Sequence, residues 1–134
     1  MSDLIAALSK VHDNFILSYA VDFQEHTLKL KTQKADGHQI LLTFAGLLAH
    51  HFEHVSQDNI LFGIDEISVE DFFANYQGLL DKTLCYGFPC CCSLDELHTR
   101  MHTEHLRVFV IDSSLGLNGF VLCKSIQIST TDCK

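Results

Sequence analysis

An α+β fold is what the sequence predicts, with an antiparallel sheet of about six strands and about three helices packed mainly on one face. Three observations carry that expectation. Short runs in which apolar and polar residues alternate are separated by turn-forming residues, as in a meander of half-buried strands. Two longer segments place apolar residues every three or four positions behind a serine, the mark of capped amphipathic helices. Neither a glycine-rich phosphate loop nor strand–helix–strand alternation occurs, which sets the chain apart from nucleotide-binding α/β folds.

In chain order, Ser2 and Asp3 can cap a short helix with the stripe Leu4, Ala7, Leu8 and Val11. Period two follows: Phe15, Leu17, Tyr19, Val21 and Phe23 fall on one face of a strand, with Ser18 and Asp22 on the other. A polar turn over residues 24–27 leads to a half-exposed strand over 28–32. Asp36-Gly37 then turns the chain into the alternating Ile40, Leu42 and Phe44. Residues 59–64 form a fourth strand through Ile60, Phe62 and Ile64. Ser68 begins a helix with Val69, Phe72, Phe73, Tyr76, Leu79 and Leu80 on one face and Glu70, Asp71, Asn75 and Gln77 facing away. Ser93-Leu94-Asp95-Glu96 matches a capping box and opens a further helix with the stripe Leu94, Leu97 and Met101. Residues 108–111 and 120–128 are the last strands, joined by a loop over 113–119 in which Gly116 and Gly119 take backbone angles other residues resist.

A chain of 134 residues with 47% hydrophobic and 19% charged residues can bury its own core, so residues 1–134 read as one domain. The single proline and seven glycines leave no stretch that resembles a linker. Residues 1–10 lack the cationic start and apolar run of a signal peptide. The most apolar stretch, 40–49, is broken by Thr43 and Gly46 and stopped by His50 and His51, about half of the ~20 residues a membrane helix needs. A cytoplasmic protein without membrane contact is therefore expected, with its six cysteines reduced rather than paired. The net charge of −8 disfavours nucleic acid as a partner and favours a basic protein.

Candidate chemistry lies in the histidines, cysteines and acids. His50, His51 and His54 form one group and His98, His102 and His105 another, with Cys90-Cys91-Cys92 upstream of the second. His98 and His102 are one helical turn apart, as two zinc ligands would be. On the helical wheel His105 falls near the buried stripe, His98 at its edge and His102 further out. No Cys-x-x-Cys spacing occurs, and no glutamate follows the first histidine as in a metalloprotease helix, so neither metal nor cofactor is expected. Ser113 and Ser114 follow Asp112 without the glycine-flanked elbow of a serine nucleophile, so no catalytic residue is assigned. The acids Asp58, Asp65, Glu66, Glu70 and Asp71 gather around a strand-to-helix junction. Acids there stabilise the helix start and also suit contact with a basic partner.

Four short stretches resemble small bacterial immunity-type proteins of toxin–immunity systems, such as those of contact-dependent inhibition or polymorphic toxins. They are Val11-His12-Asp13, Ala49-His50-His51-Phe52-Glu53, Tyr86-Gly87-Phe88-Pro89 and the loop 113–119 ahead of Phe120-Val121-Leu122. Tryptophan often stands in that family where this chain has Phe88 and Phe120. The resemblance implies a cytosolic immunity-type protein, not an enzyme, that binds and neutralises a cognate toxin domain such as a nuclease; the net charge and the clustered acids add the expectation of a basic toxin held by a surface that includes part of Asp58, Asp65, Glu66, Glu70 and Asp71. The competing readings are a small metal-binding or hydrolytic enzyme built on the histidine and cysteine groups, and a ligand-binding or regulatory module without a toxin.

Overall fold

A computed structural model describes residues 2–131, with side chains from residue 4 to residue 130. The chain runs α1 (Ser2–Ser9), β1 (Phe15–Asp22), β2 (Thr27–Gln33), β3 (Gln39–Ala45), β4 (Ala49–Glu53), β5 (Ile60–Ile67), α2 (Val69–Thr83), a 3-10 turn (Leu84–Tyr86), α3 (Leu94–Thr103), β6 (Arg107–Leu115), β7 (Asn118–Cys123) and β8 (Ser125–Thr131). The cap expected at Ser2 and Asp3 concerns side chains outside the described residues, as does Cys133. Among the described residues no helix is long and apolar enough to cross a membrane.

All eight strands belong to one antiparallel sheet in the order β4-β7-β6-β5-β1-β2-β3-β8. Its two outermost strands continue strands already inside it, β4 following β3 and β8 following β7. At the bends the Lys124 N–H donates to the Ala45 carbonyl at 2.9 Å and the Leu48 N–H to the Leu122 carbonyl at 2.8 Å, so the rolled sheet meets itself. Gly46 makes the bend possible. Its φ is +67°, and a Cβ would lie 2.7–2.9 Å from the Lys124 side chain.

The roll encloses one apolar cluster, including Leu28, Leu30, Leu42, Phe44, Phe109, Ile111 and Val121, with Phe44 and Phe109 edge to face at 5.8 Å. A second cluster lies outside it, where α2 and α3 cover β6 and β7 through Phe72, Leu80, Leu97, Met101, Val108, Phe120 and Leu122. These two strands are buried on both sides, which explains why residues 108–111 and 120–123 are continuously apolar. Leu8 of α1 and Val11 in the turn after it belong to the inner cluster, so one helix packs apart from the other two.

The strand count of about six is corrected to eight. Residues 49–53 pair with β7 despite their two histidines, and the run 120–128 divides at Lys124, where the strand leaves β6 and turns to β3. The face expected for β1 is corrected in part. A bulge between Ile16 and Ser18 switches the parity, so Ile16 is buried while Phe15 and Leu17 are exposed; beyond the bulge Val21 packs on the inner cluster as expected, and Phe23 is exposed in the turn after the strand. The α2 expectation is met more closely: Phe72 and Leu80 are buried, and Val69, Phe73, Tyr76 and Leu79 pack against the outer cluster.

Candidate functional site

The strand-to-helix junction is built by β5, which ends at Ile67, and α2, whose first turn is capped when the Asp71 N–H donates to Ser68 Oγ at 3.0 Å. Four of the five acids lie here, and the structure gives them different roles. Glu66 is engaged by Arg107, whose Nε and Nη2 donate to its two carboxylate oxygens at 2.9 and 2.8 Å. That guanidinium holds the Glu66 carboxyl below its ordinary range. Glu70 turns towards α3, whereas Asp65 and Asp71 are exposed and enter no ion pair among the described residues. Asp58 stands apart, before the opposite end of β5, roughly 20 Å along the strand.

Beside the junction, α1 and β5 bound a groove of about 680 Å³. Leu4, Ile5, Leu8 and Phe62 give it an apolar floor, while Asp65 and Glu66 stand on its edge. Ile5 is 71% and Phe62 57% exposed, so large apolar side chains face solvent there. His12 fixes the groove's far side: its Nδ1 lies 2.6 Å from the Phe62 carbonyl and its ring meets Phe62 edge-on at 5.4 Å. Sequence reasoning missed this groove, because the exposure of Phe62 depends on bulges on either side of Leu61.

The histidine group of β4 is divided by strand geometry. His51 lies opposite Phe120 and stacks on its ring at 5.8 Å, with Phe88 at 6.1 Å, while Nε2 meets the Glu53 carboxylate at 2.9 Å. His50 points to the other side, against Phe52 at 5.0 Å; burial, and then the neighbouring His51, push its pKa below the ordinary value. His54 lies beyond the strand with φ +61° and is exposed. Three of the four resembling stretches thus meet around β4, for Gly119 abuts the His51 backbone so closely that any Cβ would strike its carbonyl.

On α3 the helix does the opposite. Ser93 accepts from the Glu96 N–H at 3.1 Å, and the Glu96 carboxylate reaches back to the Cys92 N–H at 2.7 Å, one residue before the box partner expected. His98 and His102 are exposed with ring centroids 4.6 Å apart, and Glu70 of α2 joins them, one ligand atom of each lying within 4.8 Å of the others. The ring of Phe73 packs on His98 at 5.3 Å. The placement of His105 near the buried stripe is corrected: the helix ends first, and His105 sits exposed at φ +55° while the Leu106 N–H bonds the Met101 carbonyl.

Burial pushes the Cys91 thiol up and the Cys123 thiol up to about 12, the reverse of what a reactive thiolate needs. Cys85, Cys90, Cys91, Cys92 and Cys123 are free. Ser114 Oγ donates to the Ile60 carbonyl at 3.4 Å, Ser113 Oγ is buried without a partner, and no serine or cysteine bonds an imidazole among the described residues. Set against known proteins, the chain matches no family model, and no curated protein resembles it closely enough to count as a relative.

Proposed function

We propose that this protein is an immunity-type inhibitor, which captures and neutralises a cognate, basic nuclease toxin domain by docking it on the α1–β5 groove. The observation that carries the reading is an apolar groove with acids on its edge in a chain of net charge −8. Apolar anchors in a groove supply affinity, and a charged rim of one sign speeds encounter with the opposite sign. The resemblance of the four stretches points to the same class. Asp65 is the free charge of the rim, and Asp71 is a second exposed acid in the first turn of α2 beside it; Glu66 acts in concert with Arg107 and therefore adds little field of its own.

The test expresses the toxin domain encoded beside the gene and measures its association with the wild type, Asp65→Lys/Asp71→Lys and Phe62→Asp across ionic strength. The charge reversals should slow association at low salt, an effect that fades as the Debye length shrinks from ~10 Å at 0.1 M to ~3 Å at 1 M. Phe62→Asp should speed dissociation. Association indifferent to salt and to the reversals would remove the acidic rim. Absence of binding and of protection would end the immunity reading itself.

A further inference from the structure

We propose that Glu70, His98 and His102 form a surface site for a divalent transition-metal ion of the zinc class, tying the start of α2 to α3. The inference goes beyond the protein-capture reading and does not depend on it. The helix repeat sets His98 and His102 on one face one turn apart, with rings already 4.6 Å apart. Imidazole nitrogens and a carboxylate oxygen are a donor set that zinc accepts at about 2.0–2.2 Å. Tetrahedral coordination at that radius needs ligand atoms roughly 3.3–3.5 Å apart. Here one atom of each side chain lies within 4.8 Å of the other two, so rotation of exposed side chains by about 1 Å closes the set.

The surroundings favour a cation there. Packing of Phe73 on the His98 ring limits its rotation, so part of the ordering is supplied by the fold. His102 lies in the last turn of α3, at the negative end of that helix dipole, and Glu70 brings a full negative charge. With three protein ligands the fourth position is open to solvent, as befits an exposed group of side chains. Neither the cysteine run nor the β4 histidines join this group among the described residues: its ligand atoms come from Glu70, His98 and His102 alone, and His50 and His51 face opposite sides of their strand.

The experiment titrates untagged, reduced protein with Zn²⁺ against a chromogenic chelator and with Co²⁺ by visible absorption, following thermal unfolding in parallel. One equivalent should bind, with a Co²⁺ spectrum of low-symmetry coordination by nitrogen and oxygen and a rise in Tm. His98→Ala, His102→Ala and Glu70→Gln should each weaken binding by more than the roughly 10–100-fold lost with a merely supporting group. Cys90→Ser/Cys92→Ser should bind as the wild type does. Circular dichroism of the metal-free variants should match the wild type, which separates a lost ligand from a lost fold. Binding that survives in His98→Ala/His102→Ala, binding that vanishes with the cysteines, or no binding at 100-fold excess of metal over protein would each overturn the proposal.

Discussion

His50 and His51 on β4 and His98 and His102 on α3 are pairs of the same residue, yet the backbone gives them opposite fates. In the strand, adjacent side chains leave on opposite faces, so His50 packs on Phe52 while His51 stacks on Phe120 under the helices. In the helix, a spacing of four returns the chain to the same face, so the rings meet and Glu70 joins them from α2. Histidines dense in sequence are therefore structural when a strand divides them and available for ligation when a helix gathers them. The β4 pair is drawn into packing; the α3 pair stays in solvent with its nitrogens free for a cation.

Phe120 offers the most severe way to break this contrast, because it joins the β4 pair to α2, the helix that carries Glu70. Its ring lies 5.8 Å from His51, 5.0 Å from Phe72 and 4.7 Å from Tyr76, and it is fully buried. Phe120→Ala should cost about 3–5 kcal/mol in urea or thermal unfolding. Phe72→Ala should approach the same loss, while Phe73→Ala, at a half-buried position, should cost less. Equal, near-neutral values at Phe120 and Phe72 would mean that α2 does not rest on β7.

The next largest effect belongs to the β4 pair itself. His51 is half-buried, stacked on Phe120 and bonded to Glu53, so His51→Ala should lower stability by about 1–2 kcal/mol. His50 should reveal itself through pH. Its folded-state pKa is lowered by burial below the ordinary value near 6.5, so the unfolded chain takes up its proton first. Stability is then fully present above pH 6.5 and declines as the pH falls from there through the folded pKa. His50→Gln should remove that component, making the change in denaturation midpoint between pH 7.5 and 5.5 smaller than in the wild type. An identical pH profile for the two proteins would show that His50 is as solvated folded as unfolded.

Much of the fold was legible in the sequence because its signals are local. The caps at Ser68 and Ser93, the turn at Asp36-Gly37 and the apolar face of α2 each arise within a few residues and lie where the patterns place them. What escaped depends on partners distant in sequence. A bulge at Leu17 puts Ile16, rather than Phe15 and Leu17, on the side of β1 that Val21 also faces, and residues 49–53 become a strand because β7 offers them an edge. Lys124 is polar within an otherwise strand-like run, but only the bend beside Gly46 makes it the point where the sheet rolls over. The candidate sites follow the same rule. The i, i+4 histidines were visible on one helix, whereas Glu70 reaches them only because α2 and α3 share the outer face of β6 and β7.

The smallest effect sharpens the contrast most. His98 and His102 are exposed, and neither makes a hydrogen bond or ion pair within the protein among the described residues. Without metal, His98→Ala and His102→Ala should each stay within about 0.5 kcal/mol of the wild type, as exposed substitutions away from caps and cores do. His98→Ala gives up a partial stack on Phe73 and should show the larger of the two changes. A chelator in excess should likewise leave the protein folded, because the two apolar clusters close without any ligand from this surface. With Zn²⁺ present the comparison should invert. The wild type gains stability by mass action in proportion to the logarithm of the metal concentration, both α3 variants lose that gain, and His51→Ala keeps it despite its lower starting point. Parallel metal-free and zinc-loaded unfolding curves for the three variants decide the matter. A chelator-induced loss of fold would make the α3 group structural, and a zinc-dependent gain lost in His51→Ala but kept in His102→Ala would place the metal on β4.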